Sequence, residues 1–288
     1  MVLIAMAADK GAPGVTTSAV ALAAVWPRPV VLADCDPAGG DLPYRLPAQG
    51  GRPLAQDRGI VSLASVVRGQ VGPEVVWEHT QQLDGGLPVL VGPTVPEQAA
   101  ALASAWTPMS GMFAGLADAD VIADCGRVMG ESPLVPVFRR AELIVLVARD
   151  TVEGVAHLRH GLVAIPRAVN VTTAGSGGSV LGRTVVLLVA DPRGLGEARR
   201  QVGRVLASTP GVGDVPVIGC IAHDEAGARG LSGEWGRRLD RSALIGSARR
   251  VAQQLFARAH PGGGGLSGAP AGTAADRVLA ATSAPGAG

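Results

Sequence analysis

Near the amino terminus an apolar run, Val2–Ala7, leads into Asp9-Lys10-Gly11-Ala12-Pro13-Gly14-Val15-Thr16-Thr17, after which helical periodicity begins. A strand, a glycine loop and a helix start, in that order, make an anion site. Main-chain N–H groups converge at the turn, and the helix dipole adds partial positive charge there. A threonine at the helix start, Thr16, can also coordinate a phosphate-bound Mg²⁺. Lys10 is the one lysine among 25 basic residues, and it falls inside this loop. Carboxylates close two further apolar runs: Asp34 and Asp36 follow Val31-Leu32-Ala33, and Asp124 follows Val121-Ile122-Ala123. Ligands in open α/β sheets bind beyond the carboxyl ends of the strands, which is the edge these acids share with the loop.

Short β-branched runs and helical patterns alternate along the chain, and they are what must position those groups. The spacing predicts strands at Val2–Ala7, Pro29–Ala33, Leu87–Val91, Asp120–Asp124, Leu143–Ala148, Thr184–Ala190 and Val215–Ile221. Helices are predicted at Val15–Val25, Ile60–Val67, Pro96–Ala105, Val155–Ile165, Gly196–Leu206 and Ala243–Ala259. Most strand runs are apolar throughout, as in strands covered on both faces. The fold class is therefore α/β: a doubly wound, mostly parallel sheet with helices on both faces. Residues 1–260 read as one such domain. Residues 261–288 are mostly Gly, Ala, Pro and Ser and predict a flexible tail, and Thr173–Val180 predicts a Gly/Ser-rich loop.

Composition excludes several classes. A hydrophobic share of 47% and a charged share of 17% over 288 residues describe a globular chain rather than a disordered one. A net charge of +1 excludes a chain-wide polycationic surface, though not a local patch. Three cysteines fit a reducing, cytoplasmic setting rather than a disulfide framework. Cys35 and Cys125 lie between the acids, but without metal-ligand spacing they read as small buried side chains, and Cys220 reads as core. No apolar run approaches the roughly 18 residues of a membrane span, so no integral membrane segment is expected. His157 and His160, spaced i, i+3, read as one exposed helix face.

The loop resembles the deviant Walker A motif of the ParA/MinD-type ATPases, K-G-G-x-G-K-T-T in that family and K-G-A-P-G-V-T-T here. Lys10 matches the family's signature lysine, Gly11 and Gly14 its loop glycines, and Thr16 its Mg²⁺-binding hydroxyl. Ala12, Pro13, Val15 and Thr17 complete the segment that the resemblance places around the phosphates. Two positions depart from the pattern. Val15 stands where the family has its phosphate-gripping lysine, and Asp9 where the general P-loop begins with glycine.

Other segments agree. Val31–Asp36 looks like the family's second-strand D-x-D motif, which implies Asp36 as the acid contacting Mg²⁺ or the attacking water, supported by Asp34. Val121–Gly126 resembles the Walker B strand, making Asp124 the carboxylate that holds Mg²⁺ through water. Ile221-Ala222-His223-Asp224 is similar to the family's P-x-D segment, which implies Asp224 beside the adenine. The family's adenine-reading asparagine has no counterpart, since that strand ends Val189-Ala190-Asp191.

The resemblance implies ATP and Mg²⁺ as cofactors and a nucleotide-dependent homodimer in which Lys10 serves the partner's nucleotide. It also implies slow hydrolysis and a positioning role with a protein partner, as for chromosomes, division sites or the pilus and secretion machinery of the CpaE/TadZ branch. Seven arginines between Arg229 and Arg258 would offer non-specific DNA contacts, or form only a solvated helix face. Each charged phosphate contact contributes about 1.5–3 kcal/mol, so Val15 predicts ATP binding weaker by roughly one to two orders of magnitude. Asp9 predicts further repulsion. Two alternatives remain: a non-hydrolysing scaffold of the same fold, and a dinucleotide-binding oxidoreductase. For the latter, Asp34 has the right spacing, but Pro13 blocks the glycine loop.

Overall fold

The computed structural model describes residues 1–11, 13–69, 71–128, 132–170, 179–212, 214–232 and 239–261. The expected tail beyond residue 261, and nearly all of the Gly/Ser-rich 173–180 segment, lie outside the described residues.

The strands are β1 (Leu3–Ala8), β2 (Val30–Asp34), β3 (Gln81–Gln82), β4 (Pro88–Leu90), β5 (Asp120–Arg127), β6 (Leu143–Arg149), β7 (Thr184–Ala190) and β8 (Val217–Ala222). They form one sheet in the order β3-β4-β2-β5-β1-β6-β7-β8, parallel except for the β3–β4 pair. The helices of the first half are α1 (Val15–Ala24), α2 (Leu42–Arg45), α3 (Ile60–Val66), α4 (Val76–His79), α5 (Pro96–Ala101) and α6 (Trp106–Gly115). Those of the second half are α7 (Val135–Arg140), α8 (Val152–Asn170), α9 (Leu195–Ala207), α10 (Glu225–Leu231) and α11 (Ala243–Ala259).

Alternation along the strands divides the core into two layers. Leu3, Ala5 and Ala7 of β1 join one layer with side chains from α3, α6, α7, α8 and α9. Val2, Ile4, Met6 and Ala8 join the other, against α1 and α11. Because β1 carries apolar residues on both faces, it reads as an unbroken apolar run. The doubly wound, mostly parallel α/β architecture expected from the sequence is the one observed.

Several elements escape the periodicity. Helix α6 holds Pro108, Gly111 and Gly115, all weak helix formers. It forms because Trp106, Met109, Met112 and Phe113 bury one face in the core, and each such burial contributes roughly 1.5–3 kcal/mol. Helix α8 starts earlier than predicted and continues through Pro166, where one main-chain hydrogen bond is lost but packing of Leu158, Leu162, Ile165 and Val169 continues. The short α2, α4, α7 and α10, and the two-residue β3, carry too few residues for a periodic signal.

At the amino ends of the strands sits a fully buried carboxylate, Asp120. Its Oδ1 accepts from the Val2 amide at 3.0 Å, and the Arg28 guanidinium lies 3.4 Å from the same oxygen. Its Oδ2 accepts from Trp26 Nε1 at 2.9 Å and lies 2.9 Å from His260 Nε2. One side chain thus ties together β1, β5, the α1–β2 turn and the end of α11. The carboxyl ends, at the opposite edge, are left for chemistry.

Candidate functional site

Strand order reverses at β1: β5 and β2 lie to one side of it, β6 and β7 to the other. A crevice opens at such a point beyond the carboxyl end of the strand, and the loop from Asp9 to Gly14 occupies it. Gly11 (φ 79°) and Gly14 (φ 94°) both adopt the left-handed region that a side chain disfavours. Gly14 is the N-cap of α1, and no side chain caps that helix, nor is there an acid in its first turn. The first-turn amides therefore keep their donors for a ligand. Ala12 lies outside the described residues.

The side chains around the loop divide by direction. Val15 is buried in the apolar layer beneath α1, so the last loop position brings no cation. Lys10 is exposed and lines an open cleft with Gly11, Pro13, Arg149, Gly154 and His157. Among the described residues it makes no hydrogen bond or ion pair.

Asp9 lies against α8, where His160 Nδ1 is 2.7 Å from its Oδ1 and His157 Nδ1 is 3.9 Å from its Oδ2. Gly161 allows this approach, since a Cβ there would sit 3.1 Å from the Asp9 Cβ. The two histidines are therefore the partners of the loop's acid. No sequence spacing links residues 9 and 160.

The acids converge as the register requires: Asp34 and Asp124 are direct partners across β2 and β5. Both are buried. Asp124 Oδ1 accepts from the Gly126 amide at 3.0 Å, and the Thr16 hydroxyl lies beside the same carboxyl. Asp34 Oδ1 accepts a long bond, 3.4 Å, from the Asp36 amide, and the Gly92 amide lies beside the same carboxyl. The Oδ2 atoms of Asp34 and Asp124 are buried with no hydrogen-bond partner among the described residues. Asp36 lies further out, with its Oδ1 accepting from the Ala38 amide at 2.8 Å.

Burial raises all three acids above the ordinary carboxylate range. Asp124 is pushed up to about 6 by burial, against the pull of Thr16 and Gly126 and with a further push from Asp36. Asp34 rises well above its usual value through burial and then through the charge of Asp124. Asp36 rises by burial, partly offset by the Ala38 amide and Arg127. Two unpartnered buried oxygens beside a hydroxyl are a donor set for a hard cation. Among the described residues no group of three or more His, Cys, Asp and Glu could hold a metal ion by itself.

Gly40 and Gly92 shape this site by lacking side chains. A Cβ at Gly40 would lie 1.9 Å from Asp34 Oδ2, and one at Gly92 would lie 2.7 Å from Asp34 Cγ. Gly40→Ala is accordingly expected to displace Asp34 and to cost about 1–3 kcal/mol. A thermal melt checks this, with Gly203→Ala as the comparison because its Cβ would meet open space.

Asp224 sits apart from these acids. It caps α10 through Gly227 N at 2.9 Å, and its other oxygen accepts from Leu244 N at 3.3 Å. His223 Nε2 lies 3.1 Å from Arg149 Nη2, joining the ends of β8 and β6. One neighbour of the loop had no sequence signal: Arg45 of α2 donates from Nη2 to Thr17 Oγ1 at 3.1 Å. In the arginine-rich region, Arg229 lies 4.0 Å from Glu225, Arg249 donates to the Asp240 carbonyl and Arg258 to the Gly182 carbonyl. Arg237 and Arg238 lie outside the described residues. Among the described residues no helix is long and apolar enough to cross a membrane.

No protein-family model and no curated protein matches the chain. Solved structures do. A ParA family ATPase from Chlorobium tepidum TLS superposes with a TM-score of 0.62 at 13% identity, covering 88% of this chain and 98% of the other. The cell division ATPase MinD of Pyrococcus furiosus gives 0.61 at 16% identity, again with 88% and 98% covered. Cobyrinic acid a,c-diamide synthase from Mycobacterium smegmatis, solved with a bound ATP analog and magnesium, gives 0.60 at 22% identity, covering 91% and 96%. With a glycine loop between β1 and α1 and acids at the ends of β2 and β5, the chain has the fold of the ParA/MinD ATPases.

Proposed function

We propose that this chain is an ATP-dependent homodimeric switch of the positioning or partitioning kind, assisted by Mg²⁺ and slow to hydrolyse. The observation that carries the reading is the uncapped N-terminus of α1 facing two buried carboxylates whose Oδ2 atoms have no partner among the described residues. A magnesium triphosphate satisfies both at once, with phosphate oxygens on the amides and the cation toward the acids. The ParA and MinD neighbours support ATPase chemistry on this fold, and the cobyrinic acid synthase supports ATP and Mg²⁺ at it.

In this reading the backbone of residues 11–17 wraps the phosphates. Thr16 and Asp124 would hold Mg²⁺, which would supply charge neutralisation across the phosphates. Asp36, the most accessible of the three acids, orients the attacking water. Lys10 places its ammonium against phosphate oxygens, and its exposure lets it reach a second subunit. With Val15 contributing no charge, one subunit binds nucleotide weakly and dimerisation completes the site. The open cleft around Lys10, lined by Gly11, Pro13, Arg149 and His157, supports this reading.

Calorimetry with ATP and Mg²⁺, alongside sizing with and without nucleotide, tests the proposal. Saturable binding together with a shift to dimer is expected, and Lys10→Ala should lose the shift. Dimerisation of Lys10→Ala on ATP as readily as the parent would overturn the role of Lys10. Because Lys10 is the single lysine, an amine-selective reagent reports on it directly, the N-terminal amine aside. Labelling slowed by nucleotide supports the site, and labelling unchanged under saturating ATP counts against it.

A second reading, a scaffold that binds without turnover, is favoured by one observation: Val15 is packed into the core. ATP turnover in the parent compared with Asp36→Ala separates the two. Equal background rates favour the scaffold.

A further inference from the structure

A phosphate site without its lysine still has to balance a triphosphate's charge. Four cationic side chains surround the loop. Lys10 opens into the cleft toward α8. Arg149 hydrogen-bonds His223, and the charge of Arg127 acts on Asp36. The fourth is Arg45, the last residue of α2, half-buried and bonded through Nη2 to Thr17 Oγ1 at 3.1 Å.

The setting of Arg45 is electrostatically incomplete. Its guanidinium lies against the first turn of α1, where the helix dipole disfavours a cation. Among the described residues no carboxylate lies within ion-pairing distance of it, so its half-buried charge is only partly compensated. Its bond to Thr17 places it one residue from Thr16, the hydroxyl beside Asp124. Thr17 immediately follows Thr16, so the free N–H donors of the fork are presented where the phosphates meet α1. A planar guanidinium can take two phosphate oxygens at once. Filling the loop with a phosphate chain supplies the missing anion.

We infer that Arg45 is a phosphate-binding residue of this chain, supplying from α2 the cation that position 15 does not provide. The inference rests on the nucleotide reading given above. It assigns the chain a cradle built from two segments rather than one: amides from the loop and a guanidinium from α2, 28 residues further along than Thr17.

The test is a double-substitution cycle on MgATP affinity, read by calorimetry on the full chain. Arg45→Ala should weaken MgATP binding about 10- to 100-fold, the range expected for losing a charged phosphate contact. Arg45→Lys should keep part of it. Val15→Lys should tighten the parent and restore most of what Arg45→Ala loses, because it returns a cation to the same phosphates. If both cations serve the same phosphates, the gain from Val15→Lys is larger in the Arg45→Ala background than in the parent, whereas a structural role for Arg45 leaves the two gains equal.

A thermal melt accompanies each variant; Arg45→Gln, which keeps much of the aliphatic stem, replaces Arg45→Ala if the latter unfolds. Arg45→Ala binding MgATP within about twofold of the parent overturns the inference and leaves the nucleotide reading standing. Equal gains from Val15→Lys in the parent and in Arg45→Ala also overturn it, assigning Arg45 to structure. A parent that binds no MgATP overturns both.

Discussion

Asp120→Ala is expected to lose about 3–5 kcal/mol of folding stability, the range for removing one member of a buried, hydrogen-bonded charge cluster. The carboxylate is fully buried and receives Val2 N, Trp26 Nε1, Arg28 and His260 on its two oxygens. Arg28 is partly exposed and can turn to water, so most of the cost falls on the other three. A buried donor left without its acceptor costs about 1–3 kcal/mol, and the Val2 amide and the Trp26 indole become such donors. His260 also loses the partner that fixes its ring, which packs on Phe256 of the preceding turn with centroids 4.4 Å apart. Asp120→Asn keeps the shape and one acceptor, so its cost should be about half. Denaturant melts with unchanged slope measure the difference. A loss under 1 kcal/mol for Asp120→Ala would mean that the four contacts are not coupled.

Nucleotide-free, metal-free protein is expected to lose stability as pH rises from about 4 to above 6. Asp124 has a folded-state pKa of about 6 against an ordinary 3.8, and Asp34 is raised well above the same value. Both shifts come first from burial. Between the unfolded and folded values the native state holds more protons than the unfolded chain, so the slope of stability with pH is negative in that window. Full ionisation of Asp124 alone costs roughly 3 kcal/mol.

Asp34→Asn removes one charge from the facing pair. It should stabilise the metal-free protein at pH 7.5 and flatten the pH profile. Mg²⁺ with ATP should stabilise the parent at pH 7.5 and narrow its gap to the variant. Denaturation across pH 4.5–8 in a chelator, then with MgATP, reads all of this. Parallel profiles for parent and Asp34→Asn would show that the two carboxyls do not share a charge.

Much of the α/β frame was legible because strand burial has a local signature. A strand covered on both faces is apolar at every position, as Leu3–Ala8 and Thr184–Ala190 are. Helix α6 was not legible, because Pro108 and Gly111 hide a helix that only the burial of Trp106 and Phe113 stabilises. The loop and the acids at strand ends were readable as a constellation. Their coupling was not: Asp34 and Asp124 become neighbours through strand order, with β5 inserted between β1 and β2.

Residue type and short-range spacing determined, by themselves, where the chain turns, which runs are strands, and that a lysine-bearing glycine loop precedes a helix. These follow from backbone sterics and from burial periods of a few residues. Docking of helices on the sheet decided the rest: Asp9 against His160, Arg45 against Thr17, and Asp120 against Trp26 and His260. Those partners lie 151, 28, 94 and 140 positions apart. A polar group buried by packing must take whatever partner the packing brings, and that partner is set by distance in space rather than along the chain.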